Sequence, residues 1–195
     1  MKILCFGAHP SDIEVSMGGT IVLYTSAGHT VKMVVVTSPN KAETRKQEAI
    51  AASQILGTEF EYLDLDSYSV HADRHLVGTF DMVYGEYRPD IVYTHWVGDS
   101  HQGRRAVAHA TISATRKNAC SVFMYESTGG ITTNIFRAQM FVGITKTMRL
   151  KAKALGEHKT QIEADGWFYG VTSRAQYRGY QIGPLSAEAC TVART

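Results

Sequence analysis

The chain lacks the features that most quickly assign a sequence to a class. Its 195 residues include three cysteines, Cys5, Cys120 and Cys190. An odd and widely spaced set makes no disulfide framework, and two of the three fall in apolar strand-like runs. Buried, reduced thiols in a cytoplasmic protein are the expectation. Charge of one sign is also lacking: 20 Lys and Arg face 18 Asp and Glu, for a net charge of +2, and the basic residues are scattered. That removes the electrostatic footprint that nucleic acid requires. No apolar run approaches the roughly 18 residues of a membrane span. The N-terminal segment has no signal-peptide apolar region of sufficient length. Internal repeats, low-complexity tracts and linkers are absent, so a single domain over 1–195 is expected.

What is present is an alternation of apolar runs with helical patterns, in a chain that is 44% hydrophobic. Strands are expected at 2–7, 30–37, 59–63, 90–94, 120–125 and 138–143, and helices at 17–27, 42–56, 74–87, 104–117 and 146–162. Gly28 and Gly57 stand where helix C-caps belong, and Pro89 stops the third helix. Near-continuous apolar strands suit a parallel sheet covered on both faces. The expectation is an α/β, Rossmann-like doubly wound fold with a mostly parallel sheet. The segment 163–195 is less regular and reads as an excursion packed on the domain.

Candidate chemistry begins where the first strand ends, at Ala8-His9-Pro10-Ser11-Asp12-Ile13-Glu14. In an α/β sheet the carboxyl ends of strands are where ligands sit. A catalytic zinc takes three His or carboxylate ligands and leaves a place for water. His9 and Asp12 offer two ligands at a spacing a tight turn can fold onto one ion. Glu14 suits an anchoring role, bonding backbone at the helix start. The fourth strand is followed by a second set: His95, Trp96, Asp99, His101, Gly103 and Arg104.

The first stretch resembles the His-Pro-Asp-Asp-Ile-Glu signature of the PIG-L/LmbE-like zinc-dependent N-deacetylases. His101 to Val107 is similar to that family's His-x-Asp-His-Arg-Ala-Val. The resemblance covers nearly the whole chain. It implies that His9 and Asp12 are metal ligands and that His101 stabilises the transition state. It also implies that Ser11 stands at the general base, Gly103 at the acid that orients His101, and Arg104 at the third ligand. A serine hydroxyl has no useful basicity near neutral pH. A guanidinium offers only donors and cannot ligate zinc. Base, orienting acid and ligand are thus all altered, which makes Ser11 and His101 the residues of an altered catalytic site. The same resemblance assigns ligand contacts to Arg45, in Arg-x-x-Glu-Ala, and to Asp66. Arg104 and Trp96 join them as candidate ligand-binding residues. Glu126 falls in a stretch similar to the family's Tyr-Glu-Ser after the fifth strand, and Lys151, His158, Gln161, Arg178 and Glu188 follow its C-terminal pattern as packing and capping features.

Without zinc, Asp12 would be an unpaired, partly buried carboxylate, which costs several kcal/mol. An Asp12–Arg104 ion pair is therefore expected, with Arg104 in the place of the cation. The alternative is an exposed Arg104 that merely starts a helix. If zinc is retained, its third ligand must come from His101 or His109, or from His95. Ser11 with His101, backed by Asp12 or Asp99, has the residue types of a Ser/His/acid site, although Gly-x-Ser-x-Gly is absent.

Three functions stay open. The first is a pseudoenzyme of the deacetylase fold, without a cofactor, that binds a small ligand such as a sugar or specialised metabolite, or a partner. The second is a divergent deacetylase or amidase for an N-acyl amino sugar or small metabolite, with a rearranged zinc site. The third is a metal-free enzyme using Ser11, His9 and His101. No nucleic-acid or membrane partner is expected, and the resemblance implies a homo-oligomer. Trp96, Tyr68, Tyr125 and Phe136 are aromatic candidates for a pocket floor, and the loop of Thr128, Gly129, Gly130, Thr132 and Thr133 is a candidate lid or interface.

Overall fold

A computed structural model describes residues 1–117, 119–126, 135–162 and 166–195. The loop of Thr128, Gly129, Gly130, Thr132 and Thr133 lies outside the described residues.

Seven strands form one sheet: β1 (Lys2–Gly7), β2 (Thr30–Val35), β3 (Glu59–Tyr62), β4 (Ile91–His95), β5 (Ser121–Tyr125), β6 (Met140–Gly143) and β7 (Ala187–Arg194). Their order is β3-β2-β1-β4-β5-β7-β6. The first five run parallel, while β7 is antiparallel to both β5 and β6. The sheet is therefore mixed but mostly parallel, as expected. Strand order reverses between β1 and β4, which opens a crevice at their carboxyl ends.

The helices are α1 (Asp12–Ser26), α2 (Ala42–Leu56), α3 (Arg74–Tyr87), α4 (Gln102–Ala114), α5 (Met148–Gly156), α6 (Lys159–Ile162) and α7 (Trp167–Ile182). Strand alternation divides β1 between two cores. Leu4 and Phe6 pack with Leu76 and Phe80 of α3 and Val107 of α4. Ile3 and Cys5 pack with Ile13 and Ile21 of α1 and Leu56 of α2. Helices thus cover both faces. All three cysteines are free and buried, and burial pushes the Cys5 and Cys190 thiols up.

Several boundaries differ from the expectation. Helix α1 begins at Asp12 rather than 17, with a break in helical backbone at Met17 (φ −147°). The Ser11–Ser16 stretch hides this start because Ser11, Asp12, Glu14 and Ser16 interrupt the apolar pattern with buried polar side chains, leaving only Ile13 and Val15 to pack in the core. The expected helix 146–162 is two pieces, α5 and α6. Between them His158 turns inward to meet the buried Glu14 carboxylate, Nε2 to Oε1 2.9 Å. Glu14 is thus paired with a side chain, not with backbone at the helix start.

The C-terminal segment is the main correction. It supplies α7 and the strand β7, which is inserted between β5 and β6. Its sequence, Ala-Glu-Ala-Cys-Thr-Val-Ala-Arg, is weak in strand formers and carries a charge on the inward face. That charge has partners. Glu188 accepts from the backbone N–H groups of Gly19 and Thr20, from Thr20 Oγ1, and from Lys151 Nζ. Lys151 also donates to Val15 O at 2.7 Å. Both side chains are nearly inaccessible. Gly19 permits the close approach here, because a Cβ on it would stand 2.7 Å from Ile144 Cβ.

Glu188→Ala would strand the buried Lys151 ammonium and two backbone donors of α1. A loss of about 3–5 kcal/mol is expected, read as a lower guanidinium midpoint at unchanged slope. A loss below about 1 kcal/mol would show that the pair is solvated.

Candidate functional site

The turn after β1 builds the site. Gly7 allows the chain to fold back on itself: a Cβ there would meet Ile13 Cγ1 at 2.8 Å. Ser11 is left-handed (φ 82°, ψ −18°) and its side chain makes no cap hydrogen bond. For serine this conformation is uncommon, and Asp or Asn tolerates it better. The turn places Asp12 at the first position of α1, 1% exposed, where a carboxylate also meets the positive end of the helix.

Asp12 holds the cluster together. Its Oδ2 accepts the His9 backbone N–H at 2.9 Å and lies 3.3 Å from His9 Nδ1. Its Oδ1 accepts Arg104 Nε at 3.1 Å and Nη2 at 2.8 Å. The expected Asp12–Arg104 pair is thus formed, in a site where only 19% of the Arg104 side chain is accessible. Burial alone would raise the Asp12 pKa. The Arg104 guanidinium, His95 and the His9 hydrogen bond outweigh it and hold the carboxyl well below the usual range.

His95, at the end of β4, is fully buried and edge-on to Tyr125, with ring centroids 4.8 Å apart. Its Nε2 accepts Ala8 N–H at 2.9 Å and stands 3.2 Å from Asp12 Oδ2. One nitrogen can serve Ala8 as acceptor or Asp12 as donor, not both at once. Burial lowers the His95 pKa, which favours the neutral ring that accepts from Ala8 and carries its proton on Nδ1. That Nδ1 has no partner among the described residues.

His101 caps α4, its Nδ1 accepting Gly103 N–H at 3.2 Å. It meets His9 edge-on, with centroids 4.8 Å apart. Burial, His9 and Arg104 lower its pKa, so the ring is neutral near pH 7. With Nδ1 accepting, the ring proton sits on Nε2. Asp99, fully buried, accepts His101 N–H at 2.7 Å and lies 3.8 Å from Arg104 Nη1.

His9, Ser11, Asp12, His101 and Arg104 line a cavity of about 290 Å³, together with Arg45, Gln161 and Trp167. Arg45 donates to Asn40 Oδ1 and Pro10 O, each at 3.2 Å. The structure thus brings His9, Ser11, Asp12, Arg45, His101 and Arg104 together. It does not bring in three others. His109 is exposed on α4; five residues past Arg104, at roughly 100° per residue, it points to another face. Asp66 is exposed, and its carboxylate caps the short turn Ser67–Ser69 through Tyr68 N and Ser69 Oγ. Trp96 is buried edge-on against Phe136, centroids 5.5 Å apart, and does not line the cavity. Tyr68 is 88% exposed, and Tyr125 donates to Phe6 O from the core.

Sequence reasoning missed Trp167 as a wall of the cavity. It follows Gly166 at the start of α7, where the spacing Trp167-Val171-Ala175 gives a helix face that was there to be found.

Among the described residues no three His, Cys, Asp or Glu side chains are grouped so as to hold a metal. Both Asp12 oxygens are engaged, and the position facing them carries a cation of its own.

The topology and the strand-end cluster define an α/β protein of the LmbE-like class. Residues 4–115 match the family described as PIG-L: GlcNAc-PI de-N-acetylase. The chain belongs to this family. It is 26% identical to the 4-oxalmesaconate hydratase of Pseudomonas putida over 115 residues, a match spanning 50% of this chain and 45% of that relative. It is 28% identical over 170 residues to the uncharacterized deacetylase YaiS of Escherichia coli, covering 81% of this chain and 90% of that one. The structure of an N,N'-diacetylchitobiose deacetylase from Pyrococcus horikoshii superposes with a TM-score of 0.85 at 21% identity, over 99% of this chain and 84% of that one. At that identity the likeness is one of fold.

Arg104→Gln would leave Asp12 buried without its cation, at an expected cost of about 3–5 kcal/mol. Adding Asp12→Asn should return much of this loss; strictly additive losses in a double-mutant cycle would show that the two do not interact. The depressed Asp12 pKa also sets an acid dependence. Its contribution is full above the ordinary Asp value of 3.8 and is lost as pH falls through its folded value. Stability relative to Asp12→Asn should be flat above about pH 5 and fall below it. A difference unchanged down to pH 2 would contradict the pairing.

Proposed function

We propose that this chain is a PIG-L/LmbE-fold protein whose catalytic cluster has become a metal-free pocket, one that binds a small molecule rather than hydrolysing an amide. The Arg104–Asp12 pair carries this reading. Amide hydrolysis by this fold needs an electrophile and a base that takes a proton from water. Arg104 takes up the carboxylate that would otherwise face the electrophile and supplies no ligand in return. Ser11 brings a hydroxyl whose ordinary pKa makes it no base near neutrality. The cavity itself persists, with two neutral-capable imidazoles, two guanidinia and an indole around it.

The relatives include proteins named as deacetylases and one named as a hydratase. The family scaffold thus carries more than one chemistry, and loss of deacetylation leaves it free to hold another ligand. A second reading, a divergent deacetylase with a rearranged zinc site, draws on the retained His9–His101 contact. In that reading Arg104 must swing away from Asp12 to admit a metal.

Metal analysis of the purified protein separates the two. The proposal expects substoichiometric zinc even after incubation with excess. The triple variant Ser11→Asp, Gly103→Asp, Arg104→His should take up about one zinc per chain. A Cβ at Gly103 stands 3.3 Å from His101 Cε1, so the ring must give slightly. One zinc per wild-type chain would overturn the proposal.

A further inference from the structure

The cavity is surrounded by acceptors already satisfied and donors that are not. Asp12 is saturated by His9 and Arg104. Glu48 gives both oxygens to Thr160, through its N–H at 2.9 Å and its hydroxyl at 2.6 Å. Asp99 accepts the His101 N–H. The donors stand differently. Arg45 is 6% exposed, and its hydrogen bonds go to the neutral oxygens of Asn40 and Pro10. Its Nε has no partner, and no carboxylate is paired with it among the described residues. Arg104 spends Nε and Nη2 on Asp12, while its Nη1 makes no hydrogen bond among the described residues and lies 3.8 Å from Asp99 Oδ2. His101 keeps its proton on Nε2 once its Nδ1 accepts from Gly103. Asp12 and Glu48 lie close enough to favour the Arg45 charge, but neither is bonded to it; a buried guanidinium without a directly bonded carboxylate is costly, and a planar oxyanion matches its fork of N–H groups.

We propose that the pocket binds a small monocarboxylate, whose oxygens are received by the Arg45 and Arg104 guanidinia between the His9–His101 pair and Trp167. The inference rests on the reading of a metal-free binding pocket and adds the class of its ligand. One carboxylate group supplies the acceptors that the protein withholds. A dianion such as phosphate is disfavoured because the Asp12 carboxylate lines the same cavity. The cavity, about 290 Å³, admits a compact molecule.

The test is a titration of the isotope-labelled full chain with propionate, propionamide and inorganic phosphate, followed by NMR chemical shifts. Propionate should bind at least about tenfold more tightly than its neutral amide, with the largest shifts at the Arg45 and Arg104 side chains. It should also bind more tightly than phosphate. Arg45→Gln should weaken propionate by about tenfold or more. A second variant, Ser11→Asp, adds a carboxylate to the turn that Arg45 already touches through Pro10 O. It should raise Tm without ligand and weaken propionate to a similar extent. Equal binding of propionamide, tighter binding of phosphate, no saturable propionate binding, or an Arg45→Gln variant that binds as wild type would each overturn the assignment. Propionamide binding by zinc-free protein would sink the carboxylate and leave the binding pocket standing. Stoichiometric zinc in the wild type would sink the pocket reading itself.

Discussion

One carboxylate, Asp12, sets the architecture at the carboxyl end of the sheet. It ties the turn after β1 to itself through His9 and takes the guanidinium of α4 at Arg104, while His95 at the end of β4 holds the same turn through Ala8 N–H. A carboxylate 1% exposed cannot remain ionised alone. Arg104 supplies the compensating charge, so the two sides of the crevice are held by an interaction internal to the chain. Asp12 stays ionised and both of its oxygens are occupied. The donor side of the site is left with hydrogen-bonding capacity to spare.

The rest of the fold fixes the orientation of that cluster. Three further pairs tie the C-terminal elements to one another and to the rest of the molecule: the buried Glu14 with His158 and Lys151 with Glu188, and the partly buried Arg178 with Glu126. They join α1, the end of β5 and β7 to the segment that follows β6. Their strength lies in burial and in multiple hydrogen bonds rather than in Coulomb attraction across solvent. Through them α5 and α7 are seated beside α1, which brings Trp167 to the wall of the cavity.

Much of this was legible in the sequence. The apolar runs of β1 and β5, and the helical periodicity and glycine or proline stops of α2 and α3, are strong local signals. The parallel part of the sheet follows from them. The ion pair between Asp12 and Arg104 was legible for a different reason: once zinc ligation is denied, a buried acid needs a cation, and Arg104 is the cation that the second motif supplies. Strand β7 was not legible, because its inward Glu188 makes sense only after Lys151 and the first turns of α1 are in place. Glu14 was misassigned for the same reason, since its partner His158 is 144 positions away. His109 looked eligible by residue type and was placed on another face by helix geometry. Asp66 and Trp96 lie near strand ends, yet a local capping turn takes the first and Phe136 the second.

The central claim is that Arg104 holds the position a metal would otherwise neutralise. Its most direct test is a crystal structure grown with excess zinc at neutral pH, with anomalous data collected at the zinc edge. The account predicts Arg104 on Asp12 Oδ1 and no anomalous peak in the crevice. A zinc peak bound by Asp12 and His9, with Arg104 turned away, would contradict it.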